Sequence, residues 1–143
     1  MATTQATITI NSADIADSSF SVSNTATLTT AGTDTGISKT TGLTRVTTSS
    51  TSNVVLLDSS ATGGVQVAAN ATDIDKGKVF IQNLNDRGDG SKYVTVLLTA
   101  VPIGRLYGGD WMFIPWDGGD GNDIEITPSS TTDTTLEYML FYQ

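Results

Sequence analysis

The residues best equipped for chemistry crowd two glycine-rich bends. "DRGDG" (86–90) and "DGGDG" (117–121) share the pattern Asp-x-Gly-Asp-Gly. They bring Asp86, Asp89, Asp117 and Asp120 close in sequence to Asn85, Ser91, Asn122 and Asp123. Clusters that offer only oxygen suit a hard cation, and calcium takes about six to eight such ligands from a flexible loop. Neither bend has the ordered loop that ends in a bidentate glutamate. The competing reading is a plain turn, because glycine accepts positive φ and aspartate bonds its own backbone two residues on. The turn is the stronger expectation, with calcium at Asp86, Asp89, Asp117 and Asp120 as the lesser one. Paired carboxylates could also hydrolyse a glycoside, which requires one of them to be kept protonated by its surroundings. Acids on glycine turns are solvated and ordinary. The chain has no histidine and no cysteine, which removes the commonest general base, the usual triad partner and every thiolate metal site. The expectation is a protein that is not an enzyme and needs no cofactor. "RGD" at 87–89 reads as a chance match to an adhesion tripeptide.

Aromatic residues are the second resource. Tyr107 and Trp116 could stack on the apolar faces of a sugar ring. In "GDWMFIPW" (109–116), alternation puts Trp111, Phe113 and Pro115 on one face and Met112, Ile114 and Trp116 on the other. A strand apolar on both faces is covered twice, so packing against a neighbour is favoured over ligand binding. Pro115 cannot donate to a ladder, so the strand ends there or lies on an edge. In "TLEYMLFY" (135–142), Leu136, Tyr138, Leu140 and Tyr142 share one side, and Glu137, Met139 and Phe141 the other. An outward Met/Phe pair on such a strand suggests contact with another chain. Trp111, Phe113, Met139 and Phe141 are therefore the candidate interface residues.

The elements that must position these residues are strands. Period-two alternation recurs in "ATITI" (6–10), "FSVSNTATL" (20–28), "GKVFIQNL" (77–84), "KYVTVLLT" (92–99) and "NDIEIT" (122–127), and helical periodicity does not. "SNVVLLDSS" (52–60) reads as a central strand, and "SADIADSS" (12–19) is the one place for a short helix. The expected fold is all-β: an antiparallel sandwich, jelly-roll-like or Ig-like, of about eight to ten strands with an extended N-terminal segment. Residues 1–50 read as Thr/Ser-rich strands and arm, and 51–143 as the sandwich core of one compact domain. If the strands form a meander, both Asp-Gly turns fall at the same end.

The chain has 143 residues and a formal net charge of −8, with only 15% charged residues against about 25% in ordinary soluble domains. Seven scattered basic residues cannot neutralise a phosphate backbone, and an anionic membrane would repel the chain, so neither nucleic acid nor membrane is an expected partner. The N-terminus lacks the basic-then-apolar pattern of a secretory signal.

The segments "KVFIQNLND", "YVTVLL", "GRLYGGDWMFIPW", "DIEITPSS" and "LEYMLFYQ" resemble the small β-sandwich structural proteins of tailed bacteriophages, closest to those that decorate or cement the capsid. The resemblance covers about residues 75–143. It implies a virion protein on the outer capsid surface, made in the host cytoplasm. Its partners would be the major capsid protein and its own copies, most simply as a homotrimer clamped over gaps between coat subunits. The alternative expectation is a receptor- or glycan-binding module of a tail or head fibre, with Tyr107 and Trp116 exposed and calcium ordering the acidic turns.

Overall fold

The computed structural model describes residues 3–12, 20–29, 39–58, 77–118 and 121–142. The chain divides into two compact units, Met1–Ser38 and Lys39–Gln143. The first contains an antiparallel ribbon of β1 (Thr3–Ser12) and β2 (Phe20–Thr29), paired without a break from Thr3↔Thr29 to Ser12↔Phe20. Neither strand carries a charge. The expected helix at 12–19 falls almost wholly outside the described residues.

The second unit holds β3 (Lys39–Thr40), β4 (Thr44–Thr48), β5 (Val54–Leu57), β6 (Gly77–Asn83), β7 (Val94–Leu98), β8 (Val101–Leu106), β9 (Trp111–Trp116), β10 (Ile124–Pro128) and β11 (Thr134–Tyr142). β3 and β4 lie on the same edge of β11, one beside its end and one beside its start. They form a single column interrupted at Gly42, whose φ of +73° suits glycine. Two antiparallel sheets of four columns result, in the orders β5–β10–β7–β8 and β3/β4–β11–β6–β9. From β4 to β11, consecutive strands lie in opposite sheets except for the β7–β8 hairpin. That is the strand order of a jelly roll, and it decides between the two sandwich types the sequence leaves open. Residues 39–48, grouped by composition with the N-terminal segment, belong to this sandwich.

The core lies between the sheets. Val79, Ile81, Val94, Val96, Ile124, Ile126, Leu136 and Leu140 are fully buried, and Leu106, Trp116 and Tyr138 join them. Each strand supplies its inward residues by alternation, as in the strict buried/half-buried pattern of β6.

Connectivity corrects several expectations. "SNVVLLDSS" contains an edge strand rather than a central one: a bulge opposite Ile124/Glu125 in β10 turns both Leu56 and Leu57 inward, and this mimics the apolar run of a doubly covered strand. "VPIGRL" (101–106), which shows no alternation, is the edge strand β8. Pro102 and Gly104 hide it, and both are tolerated at an edge with a bulge, which falls here at Ile103. This extra strand reverses the direction count, so the two Asp-Gly bends lie at opposite ends. The 84–93 connection lies beside 107–110, joined where it leaves β6 by Asn83 N–H donating to Asp110 O at 2.9 Å. The 117–123 connection meets the β7–β8 turn through Thr99 N–H donating to Asp123 O at 2.9 Å. Neither bend is a hairpin turn, because each crosses from one sheet to the other.

Candidate docking face

Sandwich strands send alternate residues to the solvent side, which is ordinarily polar. The two outer faces here differ. On the β5–β10–β7–β8 sheet, register aligns Asn53, Thr127, Thr95 and Arg105 near one level and Val55, Glu125, Leu97 and Pro102 near the next, a mixed surface on which polar levels alternate with apolar ones and Val55, Val101 and Ile103 are exposed on the edge strands. On the opposite sheet, β9, β6 and β11 carry outward apolar residues in register. Phe113 faces Phe80, and Phe80 faces Met139. The level on one side aligns Trp111, Gln82, Glu137 and Arg45; the level on the other aligns Pro115, Lys78, Phe141 and Thr40.

The rings knit this surface together. Trp111 lies with its centroid 6.4 Å from that of Phe80, tilted by 34°. Phe113 and Phe141 meet edge to face at 6.1 Å across the top of β6, a favoured arrangement for two aromatic quadrupoles. Trp111 remains 47% exposed, while Phe80, Phe113, Met139 and Phe141 are half-buried by one another. The rim is polar. Arg45 is ion-paired with Glu137, and the Lys78 ammonium reaches Gly77 O at 3.4 Å. An apolar centre with charged groups at its margin is the anatomy of a protein interface.

All four candidate interface residues, Trp111, Phe113, Met139 and Phe141, thus fall on one face. Sequence reasoning missed Phe80, which completes it. Its signal was available: in "KVFIQN" it is out of phase with the core residues Val79 and Ile81.

The candidate glycan rings separate. Tyr107 is 41% exposed and packs on Tyr93 at 5.4 Å between centroids. Trp116 is 4% exposed, in the core, and its indole N–H donates to Asn122 O at 2.6 Å. Its faces are therefore spent on packing and are closed to a sugar. The candidate metal ligands separate too. Asp86 Oδ1 accepts from Gly88 N–H at 2.8 Å. Asp89 Oδ1 accepts from Ser91 N–H at 3.2 Å and from its hydroxyl at 2.5 Å. The Ser91 hydroxyl holds the Asp89 carboxyl below its ordinary value against the opposing effect of desolvation, with further help from the Ser91 N–H and Lys92. Asp117 sits at the other end, and Asp120 lies outside the described residues. Among the described residues no group of three or more carboxylates assembles that could hold a metal ion. The Arg-Gly-Asp stretch is likewise engaged, with Arg87 paired to Asp110 and Asp89 near Lys92 at 3.7 Å.

Compared with known proteins, the chain matches no family model and no curated protein.

Proposed function

We propose that this chain is a virion structural protein of a tailed phage, a capsid decoration or cement protein. It would attach to the outer surface of the major capsid protein lattice as a small symmetric oligomer, most simply a homotrimer. The observation that carries the reading is the contiguous aromatic cluster on one outer face of the sandwich. The Trp111–Phe80–Phe113–Met139–Phe141 face is apolar where a self-sufficient sandwich is polar, and contiguous exposed apolar patches mark interaction sites. The uncharged β1–β2 ribbon supports it, since a two-stranded ribbon by itself is marginal in water, and among the described residues neither strand has a second partner, which suits pairing with a strand of another chain. The acidic balance supports an external position, because it keeps particles from adhering to nucleic acid and to one another. Weak single contacts suffice when many copies bind one shell.

The test is to incubate purified protein with undecorated capsids and reconstruct them. The reading expects stoichiometric, symmetric density on the outer surface, lost in Phe113→Asp. Capsids that stay bare at saturating protein would overturn it.

A further inference from the structure

On the opposite sheet, the outer face carries an open trough of about 570 Å³ lined by Thr95, Leu97, Pro102, Ile103, Gly104, Arg105 and Thr127, a volume in the range of small-ligand sites. The bulge at Ile103 lies in one wall, where Pro102 and Ile103 stand exposed. Arg105 decides what the trough can hold. Of the three arginines in the chain, Arg45 is paired with Glu137 and Arg87 with Asp110. Arg105 has no carboxylate partner and no side-chain hydrogen bond among the described residues. It is held instead over the Tyr93 ring, 4.8 Å from the centroid. Tyr107, beside the trough on the same outer face, packs on Tyr93 with centroids 5.4 Å apart and planes tilted by 51°, and its side chain is exposed. The nearest acid on this face, Glu125, is turned to Ala100 N–H at 3.1 Å and Asn53 Nδ2 at 3.4 Å. On the floor, the Thr127 hydroxyl donates to Asn53 Oδ1 at 2.7 Å, leaving its oxygen free to accept. The Thr95 hydroxyl has no partner among the described residues.

We infer that this trough binds an acidic saccharide through its carboxylate and one ring face. A guanidinium oriented by an aromatic plane presents a fork that matches a carboxylate. An exposed tyrosine ring gives a flat surface for the C–H face of a pyranose, and hydroxyls at strand spacing match sugar hydroxyls. The trough is shallow and offers no deep apolar hole for a peptide side chain. Single-site affinity is weak, about millimolar, and becomes useful through many copies on one particle. The inference does not rest on the shell-binding reading, since it concerns the other sheet and is tested on the free protein. If that reading holds, the trough points away from the shell.

The experiment titrates the intact protein with D-glucuronate and, separately, D-glucose, acetate and a tetraglutamate peptide, following backbone amide signals. Saturable shifts at Thr95, Arg105, Tyr107 and Thr127 are expected with glucuronate, at an affinity at least about tenfold above that for glucose or acetate. Arg105→Gln should abolish the preference for glucuronate over glucose, and Tyr107→Ala should weaken both sugars; both side chains are exposed, and unchanged spectra elsewhere establish that the fold is intact. No saturable shift with glucuronate overturns the proposal. So does a preference unchanged in Arg105→Gln, acetate binding as tightly as glucuronate, or tetraglutamate binding more tightly.

Discussion

At position 108 a single methyl group is too much. A Cβ on Gly108 would stand 2.4 Å from the Asp86 carbonyl carbon and oxygen and 2.5 Å from Asn85 O, so two connections must move apart. The same junction is pinned by Asn83, which is fully buried and donates through Nδ2 to Lys92 O and Leu106 O at 3.0 Å each, while its Oδ1 accepts from Asn85 N–H at 3.0 Å. Removing that amide leaves buried carbonyls unpaired, at about 1–3 kcal/mol. Gly108→Ala and Asn83→Ala should each lower the urea midpoint by an amount equivalent to about 2–3 kcal/mol; a change below about 0.5 kcal/mol in both would show that the junction does not matter. At the other end, Thr99 and Ala100 hold φ of 48° and 62°, the left-handed pair of a type I′ turn that ordinarily takes Asn-Gly. Their strain is about 1–2 kcal/mol per residue. The double change Thr99→Asn, Ala100→Gly should therefore raise stability by about 1 kcal/mol, read as a higher midpoint at unchanged slope. Tyr138 supplies the pH dependence. Burial raises its phenol above the ordinary value, so its contribution is complete below pH about 10 and is lost as pH climbs through the folded-state value. The urea midpoint of the natural protein should fall above that pH, and Tyr138→Phe should flatten the fall. Equal falls in both would assign alkaline sensitivity elsewhere.

Among the elements, β6, β9 and β11 do two jobs with alternate residues. Their inward sets fill the core, and their outward sets build the apolar face. This separation makes a clean test possible, because outward residues can be charged without opening a cavity. Phe113→Asp and Met139→Asp should each abolish capsid binding or self-association, as measured by sedimentation. Their melting temperatures should stay within a few degrees of the natural protein, since surface changes are usually worth within about 0.5 kcal/mol. Loss of folding in both would place these side chains in the core instead. β8 shows why edge elements are hard to read. Its Pro102 and Gly104 are ordinary breakers, and the turn before it lacks every common turn residue. Only the ladder with β7, from Val94↔Leu106 to Leu98↔Val101, makes it a strand.

For the whole molecule, the division into Met1–Ser38 and Lys39–Gln143 carries its own prediction. The second unit has a complete two-sheet core, so deletion of residues 1–38 should leave a cooperative melt close to that of the full chain. If the ribbon is the tether to a shell, the same deletion should abolish attachment; attachment at full strength would leave the apolar sheet face as the sole contact. A broad, non-cooperative melt of the shortened chain would mean that the ribbon completes the fold.

Alternation alone determined that the chain is all-β, placed Ile124, Ile126, Leu136, Tyr138 and Leu140 inward with Met139 and Phe141 opposite, and grouped Trp111 with Phe113 on one face of their strand. Side-chain direction in a strand has period two wherever the strand sits, so facing is a local property. The tertiary structure decided which strands are neighbours, and with that everything that depends on adjacency. It put Phe80 between Phe113 and Met139, buried Trp116, sent the two Asp-Gly bends to opposite ends and set Arg105 beside Tyr93. Pairing across sheets joins residues far apart in the chain, and no local pattern encodes which long-range partner a strand will take.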